Sequence, residues 1–284
     1  MTARTTAYLR HSLQVLSLLG PALGWLLLFF LGPLLVMLVY SFAERGTYGE
    51  VIYALSPTNY LQALKPIYLL IYWRSFWLAL TTTLLCLLLA YPVAYFIALK
   101  APKQWKSTLL VLSVIPFWTS FLVRTYAWVV LLRTEGVINS ILVTLGFSPL
   151  KLLYTDFAVL IGLVYGELPF MLLPIYASIE RLDLQLLEAA KDLGATPLEA
   201  FLYVTLPLTR AGIITGITLC FIPSLGMFIT SDMLGGAKVL MIGNLIQNQF
   251  VQRNQPFGAA LSFLLTGVVL LLLWISLRAG AKVR

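Results

Sequence analysis

Charge is scarce in this sequence of 284 residues: only 11% are Asp, Glu, Lys or Arg, and there is a single histidine. Soluble domains carry roughly 25% charged residues, so a surface fit for water on every side is excluded. The lone histidine, His11, stands in the N-terminal tail, which removes histidine-based catalysis from the apolar part of the chain. The two cysteines, Cys86 and Cys220, sit inside apolar runs, make no metal-ligand spacing and read as small core residues with no support for a disulfide. A phosphate-binding Gly-x-x-x-x-Gly-Lys-Ser/Thr loop is missing, since Gly235-Gly236-Ala237-Lys238 has neither the spacing nor the helix-opening position. Paired catalytic carboxylates, metal clusters, internal repeats and low-complexity segments are also missing. The chain is therefore expected not to be an enzyme and to hold no cofactor of its own.

What it has in excess is apolar length. Hydrophobic residues make up 60% of the chain and its mean hydropathy is +0.93. They come in blocks of the roughly 20 residues that span a bilayer. Six spans are expected: Pro21 to Tyr40, Ser75 to Leu99, Ser107 to Leu132, Phe157 to Ile179, Ala211 to Ser231 and Phe257 to Leu277. The first run is too long for the apolar part of a signal peptide. The polar stretch from Glu44 to Arg74 reads as an outer loop, with Tyr60, Tyr68, Tyr72 and Trp73 as interfacial anchors. The segments are thus 1–20 as N-terminal tail, 21–74 as first helix and outer loop, 75–277 as transmembrane core, and 278–284 as C-terminal tail.

An even number of spans places both ends on one side of the membrane. The formal charge of +8 is explained by basic residues flanking helices, so nucleic acid is not an expected partner. Lys100, Lys103 and Lys106 crowd the short loop after the second span, which puts that loop and both termini in the cytosol. Arg124, 17 residues past Ser107, would lie about 25 Å along a continuous helix and is expected to snorkel at the outer interface.

Between the fourth and fifth spans, 183–207 forms a cytosolic passage with its own local logic. Asp183 caps a helix running through Gln185, Glu188 and Asp192, and Gly194 stands where a positive φ ends it. Thr196-Pro197-Leu198-Glu199 restarts the chain with a capping box and proline at the first helical position. The result is a rigid knuckle pointing away from the membrane. Glu188, Ala189, Ala190, Gly194, Val204, Leu206 and Pro207 keep every spacing of the cytoplasmic EAA loop that this stretch resembles, that of ABC importer permeases. The resemblance implies the all-α, six-helix fold of type I importer permeases in a bacterial inner membrane. It also implies that the knuckle (Glu188, Ala189, Ala190, Asp192, Gly194, Glu199 and Pro207) couples to a separate ATPase, where ATP and Mg would bind.

One carboxylate lies in the middle of a span. Glu167, ten residues into the fourth run, is about 15 Å deep among Gly162, Gly166, Pro169 and Pro174. Such a group is costly in hydrocarbon, so it either meets a cation or forms a structural hydrogen bond; Tyr165 and Phe170 could help it attract a cationic substrate. Trp118, Tyr126 and Trp128 are path candidates or an aromatic belt, and Glu135 and Asp156 are entrance candidates or plain interface residues. Pro116 to Ser120, Leu122 to Trp128, Glu135 to Asn139, Leu168 to Phe170, Ser231 to Lys238, Ile242 to Ile246 and Pro256 to Ala260 resemble the spermidine/putrescine importer permeases. That similarity implies a small cationic substrate, a second homologous permease subunit, two ATPase subunits and an extracytoplasmic substrate-binding protein, with membrane lipid as the further partner. Sister permeases for ferric iron, thiamine or phosphonates share parts of it. Another cargo, or a passive channel or scaffold, therefore stays open.

Overall fold

The computed structural model describes residues 19–281, and most of them are helical. Most of the expected tails at 1–20 and 278–284, His11 included, lies outside the described residues. Helix is what a bilayer demands, because every backbone N–H and C=O must find its partner within the segment.

In chain order, α1 (Leu19–Ser41) contains a π turn at Leu27–Leu31. A small hairpin follows, β1 (Glu44–Arg45) antiparallel to β2 (Val51–Ile52), with Glu44 opposite Ile52 and Arg45 opposite Val51. Next come α2 (Thr58–Ala63) and α3 (Pro66–Lys100), then α4 (Lys103–Val114), a 3-10 turn at Ile115–Trp118, α5 (Phe121–Leu132) and α6 (Val137–Thr144). The order closes with α7 (Asp156–Glu180), α8 (Leu184–Asp192), α9 (Pro197–Leu208), α10 (Arg210–Gly226), α11 (Ile242–Val251) and α12 (Gln255–Ala281). Among the described residues five stretches are long and apolar enough to cross a membrane: α1, α3, α5 with α6, α7 and α12; α9 with α10, bent by 66°, makes the sixth when taken as one span.

The chain forms two compact units, residues 1–65 with 249–264, and residues 66–248 with 265–284. In the first, α1 buries none of its apolar residues. The end of α1 is fastened by Asn59, whose Nδ2 donates to the carbonyls of Ser41 (3.1 Å) and Ala43 (2.7 Å), and by Tyr60, whose hydroxyl donates to Ser41 Oγ at 2.8 Å. Arg45 donates to the carbonyl of Gln252 at 3.0 Å, tying the hairpin to the chain ahead of α12.

The second unit is built on α3, α7 and α10. Ala90, Ala94 and Ala98 lay a stripe of small side chains at four-residue spacing, and Met171, Leu172, Ile175 and Ile179 of α7 share their cluster. On the other side, α10 approaches α7 through Gly212 and Gly216. A Cβ at Gly212 would stand 2.6 Å from the carbonyl oxygen of Pro174, and one at Gly216 would stand 2.7 Å from Met171 Sδ. Lipid tails are as apolar as leucine, so association of this kind relies on close packing through small residues. Pro92, Pro169, Pro174 and Pro223 lie inside helices that continue past them.

Two spans differ from the sequence-based expectation. The second begins at Pro66, so Arg74 is part of α3 rather than of an outer loop. Its guanidinium is matched by Asp156 at 2.6 Å, which lets the helix carry a charge past the apolar segment. The third run is not one helix. Pro116 lies in the 3-10 turn, Thr119 and Ser120 are extended, and α5 starts afresh at Phe121. Arg124 is therefore in the first turn of a new helix, not 25 Å along an old one. It does not snorkel: its Nε and Nη1 are buried, and its guanidinium lies over the rings of Phe117 (4.6 Å), Phe121 (5.7 Å) and Tyr165 (5.9 Å).

Candidate functional site

The knuckle takes the form its local chemistry prescribes. Asp183 caps α8 by accepting from the N–H of Gln185 at 3.0 Å. At the other end, Gly194 has φ +87°, its N–H donates to Lys191 O (2.9 Å), and the N–H of Ala195 donates to Ala190 O (3.0 Å). This pair of bonds is the Schellman arrangement, and a left-handed residue there is what closes it. The next helix opens on a reciprocal capping box. The N–H of Thr196 donates to Glu199 Oε2 at 2.7 Å and the N–H of Glu199 donates to Thr196 Oγ1 at 3.3 Å. These bonds from Thr196 hold the Glu199 carboxyl below the usual carboxylate range.

No residue of α8 is buried. Glu188, Ala189 and Asp192 are exposed and Ala190 is half-buried. Between and beyond them stand apolar side chains in the open: Leu193 is 89% exposed, Leu198 66% and Tyr203 78%. Sequence reasoning, drawn to the charges and small residues, passed over these three. Their exposure in one polar loop was the available signal, because a sharp turn held at both ends cannot turn them inward.

Behind the knuckle, α9 is anchored to α3. The ring of Phe201 meets Tyr91 edge-on at 5.5 Å and Tyr95 at 6.0 Å, and the hydroxyls of Tyr91 and Thr209 share a hydrogen bond of 2.9 Å. Pro207 lies at the end of α9, and the bend at Thr209 separates it from α10. Phe201, Tyr91, Tyr95 and Thr209 were likewise not singled out from sequence, since the contact spans more than a hundred residues.

The candidates within the membrane are not all brought together. Trp128 meets Tyr165 at 5.7 Å and Phe117 meets Phe170 at 5.3 Å, both edge-on, so Trp128, Tyr165 and Phe170 belong to the aromatic group around Arg124. Glu167 is elsewhere: two residues past Tyr165 and roughly 200° around the helix, it is only 2% exposed. It lies within electrostatic range of Cys86 and Cys220 on α3 and α10, and its Oε2 has no hydrogen-bond partner among the described residues. The expected joint site of Glu167 with Tyr165 and Phe170 is thus not assembled in this conformation. Trp118 (84% exposed) and Tyr126 (59%) point away from the cluster. Glu135 borders a cavity of about 950 Å³ beside the N-terminus of α7, and Asp156 is held by Arg74. Among the described residues no group of three or more His, Cys, Asp or Glu is placed to hold a metal ion.

Comparison with known proteins agrees with this architecture. The chain is 43% identical over 260 residues to the spermidine/putrescine transport system permease protein PotB of Haemophilus influenzae, covering 90% of this chain and 91% of that one. To PotB of Escherichia coli K12 it is 45% identical over 257 residues, or 88% and 93% of the two chains. The crystal structure of a bacterial alginate ABC transporter in complex with an alginate pentasaccharide-bound periplasmic protein superposes with a TM-score of 0.76 at 17% identity, over 98% of this chain and 97% of that one. Residues 90–283 match the model of the binding-protein-dependent transport system inner membrane component. With that match and those relatives, this chain belongs to the family of binding-protein-dependent transport system inner membrane components.

Proposed function

We propose that this chain is the permease subunit of an ATP-driven importer for polyamines of the spermidine and putrescine class. The observation that carries this is identity of 43–45% to polyamine permeases along about nine-tenths of the chain. In this proposal it pairs with a second, homologous permease, receives cargo from an extracytoplasmic binding protein and is driven by two ATPase subunits that hold ATP and Mg. Both termini face the cytosol. The exposed faces of Glu188, Asp192, Leu193 and Leu198 dock on the ATPase, charge partners flanking an apolar centre. ATP binding on the partner moves the knuckle, and the spans rock around a central path.

Glu167 is the residue assigned to the cargo. A carboxylate only 2% exposed, with one oxygen unpartnered among the described residues, is suited to receive a cation. Rocking of α3, α7 and α10 would open it to an ammonium group. Uptake of labelled spermidine, putrescine and ferric iron by a deletion strain carrying this transporter is the test. Polyamine uptake that depends on ATP and on the binding protein is expected. Uptake of iron alone, or uptake without ATP, would overturn the proposal. Glu167→Gln is expected to lower polyamine uptake about 10–100-fold, the worth of one hydrogen bond to a charged group, with the assembled complex retained.

A further inference from the structure

Arg124 has no use in the path chemistry above, and its setting is unlike that of an ordinary membrane arginine. Its guanidinium lies over the rings of Phe117, Phe121 and Tyr165, at 4.6, 5.7 and 5.9 Å from their centroids. Nε and Nη1 are buried and have no hydrogen-bond partner among the described residues. A guanidinium offers five N–H donors, and within a membrane it normally meets carboxylates or backbone carbonyls. Arg124 also stands in the first turn of α5, the end of a helix where the backbone dipole opposes a positive charge. Ring faces are therefore what holds this cation, each attracting it through its quadrupole.

Three ring faces around one cation are the elements of an aromatic cage, the arrangement by which proteins hold organic ammonium ligands. The cage is braced by contacts that do not involve Arg124. Phe117 is set edge-on against Phe170 at 5.3 Å, and Tyr165 edge-on against Trp128 at 5.7 Å. The turn that carries Phe117 is fastened by Thr119, whose Oγ1 donates to Pro116 O at 2.7 Å. Phe117, Phe121, Arg124 and Tyr165 are all half-buried, so the cage reaches the surface of this chain. The extended pair Thr119 and Ser120 divides Phe117 from Arg124, and a rotation of the first turn of α5 about that break can withdraw the guanidinium. Exchanging it for another monovalent cation leaves the charge in the cage unchanged, so no new uncompensated charge is buried. Glu167 lies two residues beyond Tyr165, about 3 Å along the axis and on another face of α7, so cage and carboxylate are successive stations and not one pocket.

We propose that this cage is a seat for an alkylammonium group of the cargo, and that Arg124 is a tethered competitor filling it while no cargo is bound. The inference rests on the importer function above.

The experiment measures equilibrium binding of labelled spermidine to the assembled permease and ATPase subunits in nanodiscs, with the binding protein left out so that the label reports the path alone. If Arg124 fills the cage about nine-tenths of the time, the apparent affinity of a cargo ammonium is reduced about tenfold. Arg124→Ala is therefore expected to tighten spermidine binding about tenfold, and Arg124→Lys, which keeps a tethered cation, to stay near wild type. Adding Phe117→Leu to Arg124→Ala should cancel the gain, since the closest ring face is gone. Labelled methylguanidinium, bound directly, should show the same pattern. An arginine that only braces the helix break would give a lower melting temperature with no gain in affinity; that result, or a gain that survives Phe117→Leu, would overturn the proposal. If gel filtration shows that Arg124→Ala does not assemble, Arg124→Gln decides by the same criterion. Tighter methylguanidinium binding to Arg124→Ala in a transporter that imports no polyamine would leave the cage standing and refute the cargo, whereas polyamine uptake with unchanged affinities would refute the cage alone.

Discussion

Gly194 offers the sharpest test of the knuckle, because its surroundings separate backbone strain from steric clash. Its φ is +87°, and a Cβ there would meet nothing within 4 Å. Gly194→Ala therefore costs only the intrinsic penalty of a left-handed L-residue, roughly 1–2 kcal/mol. Asparagine tolerates that region better and should lose less. Proline fixes φ near −65° and removes the N–H that Gly194 donates to Lys191 O, so the Schellman closure cannot form. If the bent knuckle is the surface gripped by the ATPase, a local penalty of 1–2 kcal/mol appears as roughly 5–30-fold weaker coupling. The assay is ATP hydrolysis stimulated by the loaded binding protein, together with co-purification of the ATPase subunit. The expected order is Gly, then Asn, then Ala, then Pro, with little change in melting of the membrane core, because Gly194 is exposed. Equal activity for all four residues would refute the reasoning. So would a loss for asparagine as large as that for alanine.

Three further outcomes follow from the same geometry. Gly212→Ala should lower the melting temperature more than Gly216→Ala, since a Cβ meets backbone (Pro174 O, 2.6 Å) at the first and the flexible Met171 Sδ (2.7 Å) at the second; overpacking costs about 1–3 kcal/mol, and a thermal melt of the purified complex reads it. Glu199 has a folded pKa below its unfolded value, so its capping contribution is complete above the ordinary glutamate range and is lost as pH falls through the lower folded value; hydrogen exchange of the first turn of α9 should rise there, and Glu199→Gln should remove that pH dependence. Phe201→Ala removes two edge-on aromatic contacts, each worth about 0.5–1.5 kcal/mol, and is expected to leave ATPase co-purification intact while uncoupling hydrolysis from uptake in proteoliposomes.

Much of the fold was legible from sequence wherever the determining contacts are local. Asp183, Gly194 and the Thr196–Glu199 box act within a few residues of themselves, and each forms the bond expected of it. The first, second, fourth and sixth apolar runs were equally legible, since crossing a bilayer is a property of a run and not of its neighbours; the third is broken at Thr119 and Ser120, and the fifth passes only together with α9 across a 66° bend. The errors fall where a distant partner decides. Arg74 looked like a loop residue because its counter-charge, Asp156, is 82 positions away. Arg124 looked like a snorkelling residue because hydropathy carries no sign of the helix break at Thr119 and Ser120, nor of the Tyr165 ring from another helix. Glu167 was expected to act beside Tyr165 and Phe170, but it is enclosed on another face of α7, because the facing side depends on how α3 and α10 pack.

That division between local and distant causes also bears on how a motor outside the chain could act on a path inside it. The knuckle is determined by its own caps, so it can be gripped and moved as one body. The link inward runs through Phe201, set edge-on to Tyr91 and Tyr95, with Tyr91 in turn bonded to Thr209 at the bend. Tyr91 belongs to the same buried cluster as Cys86, Met171 and Cys220, the core in which Glu167 is enclosed. Close-packed interiors do not deform continuously. A displacement of α9 must therefore either break the Phe201 contacts or shift α3 against α7 and α10. Only the second outcome reaches Glu167, so the aromatic joint at Phe201 ties the knuckle to the one buried carboxylate among the described residues.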